Sequence, residues 1–209
     1  MKPQLKLPGI YAISPEQENT ALLLEQIAAA INGGVRLIQY RDKSLNSSKR
    51  IEQAQSLRQL CNESGALLLI NDDIELAKIS EADGVHLGQS DTSITKAREY
   101  LGEDAIIGIT CHDSLELAQK AKLEGADYLS FGCFFPSKTK PHAKPADLSI
   151  LKKAKEQFEL PIVAIGGIDK SNAYQLVASG ADLLAICAGL FNDEDIFHSG
   201  CEIYSIMKS

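Results

Sequence analysis

Charged and polar side chains follow three strongly apolar runs of the sequence. These segments are QYRDK at 39–43, NDD at 71–73 and GQSD at 88–91. Arg41 and Lys43 offer positive charge, and a guanidinium can bind an anion through two parallel hydrogen bonds. Asp72 and Asp91 offer hard carboxylate oxygens. Carboxylates beside cations, without a pair of histidines, favour Mg²⁺ shared with substrate phosphates over zinc.

Lysine and glycine residues follow three further apolar runs and suit the binding of phosphate. These segments are PSKTKP at 136–141, IGG at 165–167 and CAG at 187–189. Lys140 adds a third cation, and Gly167 and Gly189 leave backbone N–H groups available to an anion. The combined set predicts a site for two phosphorylated groups, one of them bound through the metal.

Each of these residues also has an ordinary structural interpretation. Arg41 could form a salt bridge with Asp42 at a rim, and the glycine segments could be simple turns. Asp72 or Asp73 could cap the helix that begins near Ile74, and Asp91 could cap the one that begins near Thr92. The shared placement of the polar residues after apolar runs is what favours a ligand site.

Eight apolar runs that suit buried parallel strands position these segments. They are GIYAIS (9–14), VRLIQYR (35–41), ALLLIN (66–71), GVHLG (84–88), AIIGIT (105–110), YLSFG (128–132), PIVAIGG (161–167) and LLAICAG (183–189). Amphipathic stretches separate them, so the chain is predicted to be α/β, a single (β/α)8 TIM barrel over 1–209. A doubly wound open sheet is the alternative, but no glycine-rich dinucleotide turn follows the first run.

Three of the intervening helices are predicted to end at glycine in a similar way. The exits read NGGV from 32, EGADY from 124 and SGADL from 179. A glycine here can adopt the left-handed backbone conformation that ends a helix, and the apolar residues after it begin the next strand.

The composition excludes several classes of protein. The chain has 209 residues, 44% of them apolar, with 21 Lys and Arg against 28 Asp and Glu. The net charge of −7 argues against nucleic acid as a partner. No apolar run reaches the ~18 residues that cross a bilayer, and five widely spaced cysteines predict buried, reduced thiols. We therefore expect a cytoplasmic protein without a membrane partner; its oligomeric state is left open, with a homo-oligomer as one alternative.

Six motifs follow one another along the chain: QYRDK from 39, INDDIELA from 70, DGVHLGQSD from 83, GITCHD from 108, FFPSKTKP from 134 and IVAIGGI from 162. In this order and spacing they make the chain resemble the thiamine-phosphate synthases. The resemblance extends from Gly9 to Phe191. It implies that a pyrimidine diphosphate, 4-amino-2-methyl-5-hydroxymethylpyrimidine diphosphate, is joined to 4-methyl-5-(2-phosphoethyl)thiazole in its carboxythiazole phosphate form. The products would be thiamine phosphate and pyrophosphate, with the carboxyl group of the carboxythiazole form leaving as CO₂.

The residues to which the resemblance assigns roles all follow strand-like runs. It implies Mg²⁺ binding by Asp72 and Asp91; binding of the pyrimidine diphosphate by Gln39, Arg41, Lys43, Asn71 and Lys140; contact with the pyrimidine by Thr110; and binding of the thiazole phosphate by Ser137, Thr139, Gly167, Ala188 and Gly189. Arg41, Lys43, Lys140 and Thr110 would be the catalytic side chains, with the three cations neutralising charge on the departing pyrophosphate. The aminopyrimidine would stabilise the cation left behind, and the thiazole nitrogen would capture it.

The chain departs from the family pattern at a few positions. Thr110 stands where serine is usual, and Pro136–Lys140 reads PSKTK where PT-x-TK is frequent. Many members have a serine after the last strand, where this chain has Ala188 and Gly189, so backbone N–H groups would bind the phosphate there. The segment 137–146 is long for a loop of this fold, and we expect it to close over the phosphates.

Three other functions are alternatives on the same fold. A thiazole tautomerase would use a histidine after the fifth strand, where His112 lies. In the synthase, His86 and His112 would both be candidates for minor roles. A non-catalytic ligand-binding regulator would be expected to lack the metal carboxylates. A phosphate-binding isomerase would not require two carboxylates together with three cations.

Overall fold

Eight parallel strands form a closed barrel in the structure, a computed structural model that describes residues 3–5, 8–43, 46–136 and 145–208. The strands are β1 (Gly9–Ile13), β2 (Leu37–Tyr40), β3 (Leu67–Asn71), β4 (Gly84–Leu87), β5 (Ile106–His112), β6 (Tyr128–Gly132), β7 (Ile162–Ile165) and β8 (Leu183–Ile186). Each strand pairs with the next along the chain, and β8 pairs with β1, with Ile10 opposite Leu184. The barrel predicted from the sequence is confirmed, and the open sheet is wrong.

Helices follow the strands and form the outer layer. They are α1 (Thr20–Asn32), α2 (Ser47–Ser64), α3 (Ile74–Ile79), α4 (Ile94–Leu101), α5 (Leu115–Leu123), α6 (Ser149–Gln157), α7 (Ala173–Ala178), α8 (Ala188–Phe191) and α9 (Ile196–Met207). All three helix ends predicted to use glycine do so, with positive φ at Gly34, Gly125 and Gly180. In NGGV, therefore, the second glycine has the left-handed conformation.

Alternate residues of each strand face two different cores, because successive strand side chains point to opposite faces. Outward residues such as Ile38 and Leu68 pack against the helices together with Leu23 and Leu57. Inward residues fill the barrel interior, among them Leu69 and Leu183. A barrel of eight strands has just enough room inside for packed side chains. The site is therefore confined to one end of the barrel.

Three aspartates at the amino ends of alternate strands fasten those strands to their neighbours. Asp83, Asp127 and Asp182 precede β4, β6 and β8 and accept backbone N–H groups of β3, β5 and β7. Each also pairs with a helix cation; the pairs are Arg58–Asp83 at 2.6 Å, Arg98–Asp127 at 2.8 Å and Lys155–Asp182 at 2.6 Å. Because this end of a barrel is opposite the catalytic end, we assign the three aspartates to stability.

The five cysteines are free thiols, but the prediction that they are buried holds for only two of them. Cys61 and Cys111 are buried, whereas Cys133, Cys187 and Cys201 are partly exposed. Across the described ranges, no helix is both long enough and apolar enough to span a bilayer.

Candidate active site

The polar residues predicted from the sequence gather at the carboxyl ends of β2, β3 and β5. Gln39 lies in β2 and is 2% exposed, Asn71 is the last residue of β3, and Thr110 is in β5. Arg41 follows β2 directly, and Asp72 follows β3. Since the strands are parallel and the barrel is closed, these ends surround one opening, which we call the barrel mouth.

Asp72 has an unusual backbone conformation that suits its position in the mouth. Its φ is +63°, in the left-handed region that few residues other than glycine adopt readily. Its N–H donates to the His86 carbonyl at 2.8 Å, which links the end of β3 to β4. The side chains of Asn71 and Lys43 both donate to Asp72 Oδ2, at 2.6 and 2.8 Å. The carboxylate is thus surrounded by donors at the mouth.

The carboxyl groups of Asp72 and Asp91 lie close enough to share a hydrogen bond. Burial and the neighbouring Asp72 carboxylate raise the pKa of Asp91, although the Gly88 N–H donates to it at 2.7 Å. Burial alone would also raise the pKa of Asp72, but Lys43 and the hydrogen bonds from Asp91 and Asn71 lower it. Two carboxyls that compete for ionisation form a donor set that a hard divalent cation fits, since the cation can replace the shared proton. In the described ranges no third acidic, histidine or cysteine side chain completes a cluster around them.

The helix-capping alternative is correct for Asp73 and wrong for Asp72 and Asp91. Asp73 caps α3, accepting from the Leu76 N–H at 2.9 Å, and it also pairs with Arg50 at 2.9 Å. Ser93, rather than Asp91, caps α4. The Asp91 carboxylate therefore stays in the mouth, directed by the Gly88 N–H.

Arg41 is held by its backbone, whereas its guanidinium has an exposed partner. The Arg41 N–H donates to Ser14 Oγ at 2.9 Å, which joins the ends of β1 and β2. The guanidinium pairs with Glu16 at 3.2 Å, and Glu16 is 56% exposed. Because an ion pair this open is weak, an anionic ligand can compete for the guanidinium.

Gly167 and Gly189 are required by packing, whatever they bind. Gly167 has a φ of +64°, and a Cβ there would lie 2.5 Å from the Pro136 carbonyl oxygen. A Cβ on Gly189 would lie 2.1 Å from the carbonyl oxygen of Ile168. The structure thus brings together the ends of β7 and β8, as the sequence predicts. Ala188 and Gly189 begin α8, and first-turn N–H groups have no partner within a helix.

Sequence reasoning missed the tyrosines that support this site. Tyr11 and Tyr128 lie inside the barrel, and their hydroxyls are 2.9 Å apart. Both occupy inward positions of their strands, and the ring of Tyr128 fills the space that a side chain at Gly108 would need, which only the closed barrel reveals. His86 lies within hydrogen-bond distance of both Tyr128 and Thr110, at 2.7 and 2.9 Å.

His112 and the residues of the segment 137–146 complete the predicted set. His112 ends β5 at a register shift, with a φ of +52° and an exposed side chain. Ser137, Thr139 and Lys140 lie outside the described residues, as does most of the segment 137–146.

Comparison with known proteins relates the chain to one group. A family model described as thiamine monophosphate synthase matches residues 10–190. A thiamine-phosphate synthase of Saccharophagus degradans is 53% identical over 189 residues, which cover 90% of this chain and 87% of the relative. One of Thiobacillus denitrificans is 46% identical, covering 93% and 92%. Among solved structures, a thiamine phosphate pyrophosphorylase from Pyrococcus furiosus has a TM-score of 0.86 at 34% identity, covering 96% of each chain.

Proposed function

Because the chain belongs to the thiamine monophosphate synthase family, we propose that it joins an aminopyrimidine diphosphate to a thiazole phosphate. The products are thiamine phosphate and pyrophosphate, and the protein is a transferase of thiamine biosynthesis. In this reaction the bond between the pyrimidine CH₂ and the diphosphate oxygen breaks. The electron pair leaves with pyrophosphate, and the thiazole nitrogen forms the new C–N bond.

One observation carries the detailed proposal: carboxylates and cations meet at the mouth. Lys43 lies 2.8 Å from Asp72, which in turn contacts Asp91. Mg²⁺, when bound, would be held by Asp72 and Asp91 and would neutralise negative charge on the leaving diphosphate. The donor set fits this ion because its two carboxyls otherwise compete for ionisation.

Arg41 and Lys43 stabilise the charge that grows on the diphosphate as the CH₂–O bond breaks. Both follow β2, so a single strand end presents two cations. Their present partners, Glu16 and Asp72, lie at the same opening and are at least partly exposed. A group that interacts more strongly with the developing charge than with the ground state lowers the barrier. Lys140, predicted to act with them, lies outside the described residues.

The pyrimidine ring is proposed to lie against Gln39, Asn71 and Thr110. Gln39 is buried, and Thr110 is only partly buried, so together they form a polar floor to the mouth. The thiazole phosphate is assigned to the joined ends of β7 and β8, at Gly167, Ala188 and Gly189. Separate strand ends thereby receive the two phosphorylated groups.

The function is tested by incubating the purified protein with both substrates and Mg²⁺. Thiamine phosphate is followed by fluorescence after oxidation, and pyrophosphate is measured separately. Equal amounts of both products are expected, with no product when EDTA removes the metal. Isomerisation of the thiazole without thiamine phosphate would instead support the tautomerase alternative, in which His112 acts. Binding of either substrate without any conversion would support the regulator.

Cytoplasmic location is part of the proposal, and a homo-oligomer stays one alternative for the assembly. Small-molecule substrates follow from the family. Fractionation of cells and light scattering of the purified protein would measure location and assembly.

A further inference from the structure

A chain of hydrogen bonds crosses the barrel interior and joins two of the proposed pyrimidine-binding residues. Gln39 Nε2 donates to Tyr11 Oη. The hydroxyls of Tyr11 and Tyr128 are 2.9 Å apart, and Tyr128 Oη lies 2.7 Å from His86 Nδ1. His86 Nε2 lies 2.9 Å from Thr110 Oγ1. The chain thus runs from β2 to β5 through side chains of β1, β6 and β4.

The number of available hydrogens means that donation must run one way along this chain of hydrogen bonds. Four contacts each need one hydrogen, while Tyr11, Tyr128 and a neutral His86 supply one each. The fourth hydrogen must come from one end, either the Gln39 amide or the Thr110 hydroxyl. If Gln39 donates, Thr110 accepts; if Thr110 donates, Gln39 must accept. The two ends therefore have opposite hydrogen-bonding roles.

The position of the Gln39 amide nitrogen selects one direction. Since Nε2 faces Tyr11, Tyr11 donates to Tyr128, and Tyr128 donates to Nδ1 of His86. The hydrogen of the imidazole is then on Nε2, which donates to Thr110. Among the residues that the structure describes, this is the one hydrogen bond of Thr110 Oγ1. The hydrogen of the Thr110 hydroxyl therefore remains for a ligand.

The surroundings keep both tyrosines neutral and hold the rings of the hydrogen-bond chain in place. Tyr11 and Tyr128 are 1% and 0% exposed, and burial raises the pKa of both phenols far above the usual range. The Tyr11 and Tyr128 rings meet edge to face at 5.9 Å, and the His86 ring stacks on Tyr128 at 5.6 Å. Backbone at Gly108 closes off the other side of Tyr128. Rings packed in this way cannot turn to exchange partners, and buried hydroxyls left unpaired are costly.

We propose that Tyr11, Tyr128 and His86 are positioning residues that make the Thr110 hydroxyl a hydrogen-bond donor towards the mouth. The ligand atom opposite Thr110 is then an acceptor, such as a ring nitrogen of the pyrimidine. The identity of that ligand rests on the proposed function, whereas the direction of the chain does not. The same chain ties the donor at Thr110 to the orientation of the Gln39 amide, so both ends of the pyrimidine are recognised together.

The direction is measured without substrate by long-range ¹H–¹⁵N NMR of the histidine rings. The protein has four histidines, and the signals of His86 are identified by their loss in the variant His86→Gln. The expected result is a neutral ring with its hydrogen on Nε2. A hydrogen on Nδ1 would mean that the hydrogen bonds run the other way: Thr110 would donate to His86 Nε2 and could only accept from a ligand, which overturns the proposal. This measurement stands even if the protein makes no thiamine phosphate.

The positioning role is measured by kinetics of Tyr128→Phe and Tyr11→Phe, which keep the rings. Each variant should lower kcat/KM for the pyrimidine diphosphate about tenfold, the effect of one lost hydrogen bond, without changing KM for the thiazole phosphate. The double variant should cost less than the product of the two, because one break already interrupts the chain. Tyr40→Phe is the matched control: Tyr40 is equally buried, but its hydroxyl bonds Gln53 on the helix side of β2. It should leave both KM values unchanged.

His86→Gln and His86→Ala separate positioning from packing. A glutamine amide can still donate to Thr110, so the glutamine variant should retain more activity than the alanine variant. An active wild type with unaffected Tyr11→Phe and Tyr128→Phe variants would overturn the inference while leaving the proposed function intact. An inactive wild type would refute the function alone, since the NMR result would still decide the direction.

Discussion

Lys43 Nζ lies 2.8 Å from Asp72 Oδ2, although 29 positions separate the two residues. Adjacent strands β2 and β3 end at the same level, so the side chains that follow them meet. The pair is partly exposed, with Lys43 53% and Asp72 31% accessible, so the salt bridge contributes little to stability. In the site, Lys43 lowers the pKa of Asp72, so this carboxyl stays ionised next to Asp91.

Mutation should distinguish Asp91, a proposed Mg²⁺ ligand, from Asp73, which caps a helix. Asp91→Ala removes a proposed Mg²⁺ ligand and should lower kcat strongly without unfolding the protein. Asp73→Ala removes a helix cap and the partner of Arg50, so it should lower the stability by about 1 kcal/mol but keep Mg²⁺-dependent activity. Activity titrations with Mg²⁺ and thermal melts of both variants provide the comparison. Full activity of Asp91→Ala in EDTA would contradict the metal assignment.

Arg41 should contribute mainly to the transition state. Arg41→Ala is expected to lower kcat about a hundredfold or more, the scale seen when one preorganised charge-stabilising group is lost. KM for the thiazole phosphate should change little, because the charge on that phosphate is constant during the reaction. Arg50→Ala is the control, since Arg50 pairs with Asp73 outside the mouth. A variant with unchanged kcat and a raised KM would show that Arg41 only binds.

Gly167 should tolerate no side chain, for a reason separate from phosphate binding. Gly167→Ala places a Cβ 2.5 Å from the Pro136 carbonyl oxygen at a backbone φ of +64°. The variant should melt at a lower temperature and have a higher KM for the thiazole phosphate. Gly65→Ala is a useful control, because it has a similar φ of +63° but nothing within 4 Å of the new Cβ. Equal melting temperatures for the two variants would show that the close contact at Gly167 is unimportant.

Asp127 should matter for stability and not for catalysis. Asp127→Ala leaves the Ile107 N–H and the Arg98 guanidinium without their shared acceptor. Both groups are partly buried, so the free energy of unfolding should fall by about 1–3 kcal/mol. Urea unfolding measures the loss, and kcat at a temperature where both proteins are folded should be unchanged. A large fall in kcat under those conditions would be evidence against a purely structural role.

The two buried thiols should make the protein less stable as the pH rises. Burial raises the pKa of both Cys61 and Cys111 to about 12, whereas the pKa of a thiol in the unfolded chain is about 8.5. Between these values the unfolded chain binds fewer protons than the folded one, so the free energy of unfolding falls with rising pH. Urea unfolding from pH 8 to 10 tests this sign, which buried Tyr11 and Tyr128 should reinforce near the upper end.

A thiol reagent supplies the independent check. Cys61 and Cys111 should react only after unfolding, while the partly exposed Cys201 reacts in the native protein. Rapid reaction of all five thiols under native conditions would contradict the burial of these two.

Local patterns along the chain are enough to predict the barrel and the strand ends at which the polar residues lie. Runs such as ALLLIN are apolar on both faces, which only strands covered on both sides require. Polar residues placed after such runs, like Asn71 and Asp72, must then lie at the carboxyl end of a parallel strand. These are local properties of the chain, because a strand's two faces and its end are set by neighbouring residues.

Which of those residues meet depends on how the whole barrel closes. Nothing local distinguishes Asp73, which caps a helix, from Asp91, which stays in the mouth. Tyr11 and Tyr128 are 117 positions apart and bond only because β1 and β6 face each other across a closed barrel. Contacts across the barrel depend on closure and register, which are collective properties of all eight strands, so no segment of the sequence contains them.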